Sequence, residues 1–280
     1  ESLRASDDVA ARWHGKNDGR LRYAFSPRFI LSCTDTAMKG AAELARKRGC
    51  LLHTHSSENP GEIEAVREAT GKDNVLALAD LGFTGSDVVL AHCVWLTSDE
   101  QRVLRESKTR VAHCPSANLK LASGVAKIPE LLEQGIALSI GADGAPCNNR
   151  MSAFTEMRLC ALLQKPRAGA QALSAERVVR MATIDAARAL GIDKDVGSIE
   201  VGKKADVVVV DTSGPHMRPR TDPFTTLVYA AEARDVRHVF VEGDWLVRDG
   251  ALVRWEIDEV VEDAERAVDD VLARAGGQRR

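Results

Sequence analysis

His53 and His55 stand two residues apart at the end of an apolar run in LLHTHSSENPGE, residues 51–62, and Glu58 follows three residues beyond His55. The chain has only seven histidines in 280 residues, so two of them beside a carboxylate call for a chemical reason. Further on, LAHC carries His92, VAHC carries His113 and GADGAP carries Asp143. Neutral imidazoles and carboxylates together suit one divalent ion of borderline softness, zinc first, with iron, nickel or manganese as other candidates. A catalytic ion keeps one position open for water and lowers that water's pKa to about 7, which supplies hydroxide at neutral pH. A carboxylate near the ion but not bound to it can then carry protons, and Glu58, just past the end of the run, fits that role. His53 shares a strand face with His55. It reads either as a second ligand or as a structural histidine one layer deeper.

Groups so far apart in sequence act together only if the chain delivers them to one place. Short apolar runs alternate here with amphipathic segments. Ser32, Thr34 and Asp35 open a helix that stops at Gly49, and a strand follows over Cys50–His55. Helices are expected over 61–71, 74–82 and 97–107, the last capped by Thr97 or Ser98. A helix over 128–135 and two more at about 150–165 and 174–190 follow the same logic. Strands are expected over 87–92, 110–114 and 136–143. Strand–helix alternation with short connectors implies a parallel sheet, and continuous apolar strands imply that both faces are covered. A doubly wound sheet and a (β/α)8 barrel both fit. In either, strand C-termini lie on one side, and in a barrel they converge on the mouth where active sites are built. A lone histidine at a strand end reads as a hydrogen-bonded structural residue. His55, His92, His113 and Asp143 at four successive strand ends, with Glu58 beside them, do not read that way.

After Gly197 the texture changes to short β segments joined by turns at 202–203 and 242–244, and the stretch from 256 onward reads as one amphipathic helix with a frayed GGQRR tail. The expected organisation is therefore a hydrolase-type barrel over 1–197, a β-sandwich segment over 198–255, and a helix and tail over 256–280. A formal net charge of −3 gives no general attraction to nucleic acid or to an acidic membrane surface. The longest apolar runs, such as VVVV at 207–210, fall far short of the roughly 20 residues of a membrane helix. The opening stretch ESLRASDDVAARWHGKNDGR is polar, so no secretory leader is expected there. Six scattered cysteines form no CxxC pair, which argues against a zinc ribbon and fits a reduced, cytoplasmic setting. No G-x-G-x-x-G, Walker loop or G-x-S-x-G elbow is present.

HTHSSE, LAHCVWL, AHCPSANLKLASG and GADGAPCNNRMSAFTEMRLCALLQK together resemble the amidohydrolase superfamily, in its branch of metal-dependent deaminases and chlorohydrolases acting on purines, adenosine derivatives and s-triazines. The resemblance runs from about Tyr23 to Asp211. It implies an α/β fold, a distorted (β/α)8 TIM-type barrel with one catalytic metal and a small β-sandwich. It implies that His55 and Asp143 bind the metal, that Glu58 shuttles protons and touches the substrate ring, and that His92 polarises the attacked carbon or supports the metal. His55 heads the H-x-x-E motif, so His53 falls outside the implied ligand set. The family's first strand carries an H-x-H pair that supplies further ligands, and nothing before Tyr23 matches it, since His14 stands alone in RWHGK. We therefore expect this sequence to be roughly the C-terminal two-thirds of such an enzyme.

The implied activity is hydrolytic deamination of an amino-substituted purine-type heterocycle. The substrate is expected to be an adenosine derivative of the 5′-deoxyadenosine, methylthioadenosine or S-adenosylhomocysteine kind. Guanine or another oxopurine, a pterin and an s-triazine are the alternatives, and the non-enzymatic rival is a scaffold lacking the H-x-H ligands. Arg28, Glu58, His92 and Asn118 are the candidate substrate contacts, with Glu58, His92 and Asp143 catalytic and His53 and His113 as secondary candidates. Arg28, in SPRF, looks more like guanine deaminase, because its planar N–H donors suit a ring carbonyl. Its other reading is a surface ion pair. The expected partner is a small heterocyclic amine, with the chain assembled as a homo-oligomer and with neither nucleic acid nor membrane.

Overall fold

The computed structural model describes residues 1–219 and 222–277. In order, the elements are α1 (Ser2–Trp13), β1 (Ala24–Phe25), α2 (Asp35–Arg48), β2 (Leu51–Ser56), α3 (Pro60–Thr70), α4 (Asn74–Asp80), β3 (Val88–His92), α5 (Ser98–Ser107), β4 (Arg110–His113), α6 (Pro115–Lys120), α7 (Ile128–Glu133), β5 (Ala137–Ile140), α8 (Ala145–Asn148), α9 (Ala153–Ala168), α10 (Ala175–Ala182) and α11 (Ile184–Ala189). The ends follow local chemistry. Thr34 accepts from Ala37 N–H at the start of α2, and Gly49 closes that helix at φ 66°, a conformation that costs glycine little. At α5, Thr97 and Glu100 form a reciprocal capping box. The single helix expected over 174–190 is two, broken at Thr183, whose φ of −124° and ψ of −98° lie outside the helical region.

β1 to β5 form one parallel sheet in sequence order. That is the order of consecutive staves in a TIM-type α/β domain, with the helices laid against the sheet. Leu52, Thr54 and Ser56 are buried on one face of β2, and His53 and His55 are half-buried on the other. Leu52, Leu90, Val111 and Leu138 join Met38, Leu78, Leu104 and Met181 in one continuous core. Each such side chain contributes roughly 1.5–3 kcal/mol by leaving water.

The chain divides into two compact units, one of Glu1–Ser198 with Arg220–Ala230 and one of Ile199–Pro219 with Ala231–Arg280. The second unit carries β6 (Val207–Val210) and, beyond α12 (Pro223–Tyr229), the strands β7 (Val236–Val241), β8 (Asp244–Arg248) and β9 (Ala251–Leu252), paired antiparallel in that order. A helix was not expected within 198–255. α12 starts with Pro223 at its first position and with Asp222 accepting from Thr225 N–H, and it packs on α9 and α10 of the first unit. The last element, α13 (Ile257–Arg274), has no buried residue. The final three residues of the expected tail lie outside the described residues. No helix among the described residues is long and apolar enough to cross a membrane.

Glu100 ties three elements together although it is only 1% exposed. It accepts from Thr97 N–H at 2.8 Å, from Val75 N–H at 2.9 Å and from the Ser57 hydroxyl at 3.5 Å. Burial raises its carboxyl pKa against the lowering effect of those donors. Glu100→Ala strands buried donors and should cost roughly 2–4 kcal/mol in urea unfolding, against about 1 kcal/mol for Thr97→Ala. A Glu100→Ala loss below that of Thr97→Ala would contradict this account.

Candidate active site

Three strand ends on this edge leave the β region through left-handed residues that are not glycine: Ser57 (φ 54°) after β2, His92 (φ 71°) at the end of β3, and Asp143 (φ 61°) after β5. Such positions are strained for branched or bulky side chains and persist only where surrounding contacts hold them. At His92 the strain has a visible effect. Register pairs His92 with Ser56 and Ala91 with His55, so regular alternation would send the His92 ring to the Ser56 face. Instead the ring stacks on His55, centroids 5.3 Å apart and planes 24° from parallel.

His55 is oriented from behind. Its Nδ1 lies 2.6 Å from the Arg28 carbonyl, which can only accept, so Nδ1 carries the proton and Nε2 presents a lone pair. His53 Nδ1 makes the same kind of bond to the Val89 carbonyl at 2.9 Å, and burial depresses its pKa despite that acceptor. His92, 1% exposed, sets Nδ1 against Asn118 Oδ1 at 2.8 Å, while its buried Nε2 has no hydrogen-bond partner among the described residues. Glu58 Oε2 lies 3.8 Å from that Nε2, too long for a hydrogen bond. Asp143 accepts from Gly144 N–H at 2.7 Å. Desolvation and the charges of Asp143 and Glu58 push the Cys147 thiol's pKa up.

The edge therefore brings together His53, His55, His92 and Glu58, with Asp143 near enough to His53 to oppose the lowering of its pKa, and the other candidates make different contacts. His113 follows Val111 on the buried face of β4, and Ala112 and Arg110 occupy the opposite face. Neither of its ring nitrogens has a partner among the described residues, and burial lowers its pKa to about 3. His14 accepts from Tyr23 N–H at 3.0 Å and closes the turn into β1. The exposed Arg28 side chain lies over the Phe29 ring, 5.4 Å from its centroid, while its backbone carbonyl does the orienting. The Asn118 side chain turns to His92, with Nδ2 buried and unpartnered among the described residues. Three participants were not anticipated. Glu62 accepts from Glu58 N–H at 2.7 Å, the Ser123 hydroxyl donates to Glu58 Oε1 at 3.1 Å, and Trp95 Nε1 donates to the Ser123 carbonyl at 2.6 Å. Ser123 and Trp95 lie inside the very motifs that single out this edge.

Among the described residues, no group of three His, Cys, Asp or Glu side chains is gathered closely enough to hold a metal ion. The edge therefore presents individual donors, such as His55 Nε2, beside the Glu58 carboxylate.

The family model described as "Amidohydrolase family" matches residues 1–246. A 5′-deoxyadenosine deaminase of Methanosarcina acetivorans is 39% identical over 94% of the chain and 61% of its own length. A 5-methylthioadenosine/S-adenosylhomocysteine deaminase of Moorella thermoacetica is 40% identical over 92% of the chain and 60% of its own length. Among solved structures, an adenosine deaminase from Xanthomonas campestris with bound zinc superposes with a TM-score of 0.92 at 31% identity, covering 96% of this chain and 61% of that one. The chain thus spans about three fifths of the length of the curated relatives it matches.

Burial of His113 has a pH consequence. Its folded pKa of about 3 lies below the ordinary value of 6.5, so between those values the unfolded chain binds a proton that the folded chain refuses. Its neutral form stabilises the fold fully above pH 6.5, and that contribution falls with acid by up to about 1.4 kcal/mol per pH unit. Urea unfolding of His113→Leu at pH 7, 6 and 5 should show a stability slope shallower than wild type by up to that amount. Parallel slopes would mean that His113 titrates normally in the folded chain.

Proposed function

The chain belongs to the amidohydrolase family, and we propose that it is a metal-dependent hydrolytic deaminase of adenosine derivatives of the 5′-deoxyadenosine, methylthioadenosine or S-adenosylhomocysteine kind. The observation that carries the reading is Glu58. One carboxylate oxygen is anchored by Ser123, and the other faces His92 Nε2 at 3.8 Å beside the stacked His55 ring. The names of the relatives from Methanosarcina acetivorans and Moorella thermoacetica support the substrate class.

The donors fit a borderline divalent ion as part of its ligand set. His55 has its tautomer fixed by a carbonyl behind it, the usual support of a metal-binding imidazole, and Asp143 adds a carboxylate. These two residues would hold the ion, zinc being the choice supported by the Xanthomonas campestris structure. When bound, it supplies Lewis acidity that makes water a nucleophile at neutral pH. The chain's own residues do the rest. Asp143 accepts one proton from the attacking water as its oxygen bonds to the amino-bearing carbon, and Glu58, entering protonated, delivers its proton to the neighbouring ring nitrogen. His92, fixed by Asn118, faces the attacked carbon. The proton left on the new hydroxyl returns to Glu58 as the C=O forms, Asp143 passes its proton to the amino group, and the C–N bond breaks to release ammonia.

Two experiments test this reading. Glu58→Gln in the full-length enzyme should keep its metal content and lose roughly 10²-fold or more in turnover, as expected for a missing proton carrier. Loss of metal would make Glu58 a ligand, and near-normal turnover would remove it from the mechanism. Ammonia release from 5′-deoxyadenosine, adenosine and guanine under one condition should favour the adenosine compounds, with little change in preference on Arg28→Ala. A hundredfold preference for guanine that disappears in Arg28→Ala would transfer the assignment to an oxopurine deaminase.

A further inference from the structure

We propose that the segment 118–124 is a two-point clamp on the catalytic groups, in which Ser123 is a positioning residue that separates the tasks of the two Glu58 oxygens. The inference rests on the deaminase reading above and adds to it a residue outside the chemistry itself.

The clamp begins with the way α6 ends. Ser123 N–H donates to the Asn118 carbonyl at 2.8 Å and Ala122 N–H to the Leu119 carbonyl at 3.1 Å, with Ala122 left-handed at φ 56°. This is a complete Schellman closure, with alanine in the place where glycine is usual. It brings residues 118 and 123, at opposite ends of the turn, into direct backbone contact. Their side chains then reach two different partners. Asn118 Oδ1 lies 2.8 Å from His92 Nδ1, and Ser123 Oγ lies 3.1 Å from Glu58 Oε1. Both residues are almost fully buried, Asn118 at 1% and Ser123 at 2% exposure, so the Asn118 bond lies away from water and the Ser123 hydroxyl is a sheltered donor to the partly exposed Glu58.

A third contact fixes the far end. Trp95 Nε1 donates to the Ser123 carbonyl at 2.6 Å, and its ring lies against Gly124. A Cβ at Gly124, where φ is 125°, would meet Trp95 Cζ2 at 3.0 Å, so glycine is what allows the indole to approach. Glu58 is held from its other end as well, through its N–H on Glu62 Oε2 at 2.7 Å. With Oε1 accepting from Ser123, the carboxylate plane is set and Oε2 is turned to His92. Oε1 is thereby reserved for orientation, and Oε2 is the oxygen that holds and delivers the proton.

Four measurements on the metal-loaded full-length enzyme decide the matter. Ser123→Ala should lower kcat about tenfold with KM changed less than about twofold, because an oriented proton carrier acts on the chemical step and not on ground-state binding. Ser123→Cys, close in size but a weak donor, should fall between. In a Glu58→Gln background Ser123→Ala should have almost no further effect, since the two side chains act as one unit. The carboxylate stretching band of Glu58, isolated as the infrared difference between wild type and Glu58→Gln, should move in Ser123→Ala whether or not substrate is turned over. An unmoved band, an unchanged kcat, or an undiminished Ser123→Ala loss in the Glu58→Gln background would overturn the clamp. Unaltered turnover in Glu58→Gln alone would instead sink the proton-carrier reading and leave the infrared result to judge the hydrogen bond.

Discussion

The C-terminal edge of the parallel sheet depends on buried carboxylates that accept hydrogen bonds from the loops leaving the strands. Backbone N–H groups in those loops lie away from water and must find acceptors within the protein. Glu100 takes Val75, Thr97 and Ser57, and Glu62 takes the N–H of Glu58. Glu156, 1% exposed, takes Ser116 N–H at 3.1 Å and Asn148 Nδ2 at 2.8 Å, and Asn148 in turn donates to the Ala142 carbonyl beside Asp143. The loops after β2, β3 and β4 thus each have a carboxylate behind them. A charged acceptor forms stronger hydrogen bonds than a neutral one, which suits positions where the backbone is strained.

The strain and the acceptors belong together. Ser57, left-handed, is itself held by Glu100, and left-handed Asp143 follows Ala142, whose carbonyl accepts from the Asn148 that Glu156 also holds. At His92 the same departure redirects a ring from the helix-facing side of the sheet onto His55. Without that turn Glu58 would lack an imidazole nitrogen opposite its free oxygen. The arrangement at this edge is therefore a property of loop anchoring as much as of the strands.

Two families of hydrogen bonds set the chemistry of the imidazoles. Backbone carbonyls of Arg28 and Val89 fix the tautomers of His55 and His53, and the Asn118 amide fixes His92. An imidazole whose Nδ1–H is engaged has only Nε2 left to act as an acceptor or a ligand. Arg28 shows how a residue can matter through its backbone: its guanidinium rests on Phe29 in solvent, yet its carbonyl aligns the ring that heads the H-x-x-E motif.

The sequence alone determined the parallel α/β architecture, because apolar strands, capped helices and glycine stops repeat in order, and local chemistry dictates each of them. It also determined the family and the chemical types at the edge, through His55, Glu58, His92 and Asp143 at strand ends. The sequence placed His113 at a strand end with the other three, but it carried no signal that the ring would be buried, with neither nitrogen partnered among the described residues and with His92 adding to the burial that lowers its pKa. The roles of Ser123, Glu62 and Trp95 were decided by tertiary structure alone. Their partners lie 65, 4 and 28 residues away along the chain, and a hydroxyl, a helix-start glutamate or an indole carries no local signal of what it will reach. Periodicity and capping are properties of a segment, whereas the orientation of a carboxylate oxygen is a property of whatever the fold brings up behind it.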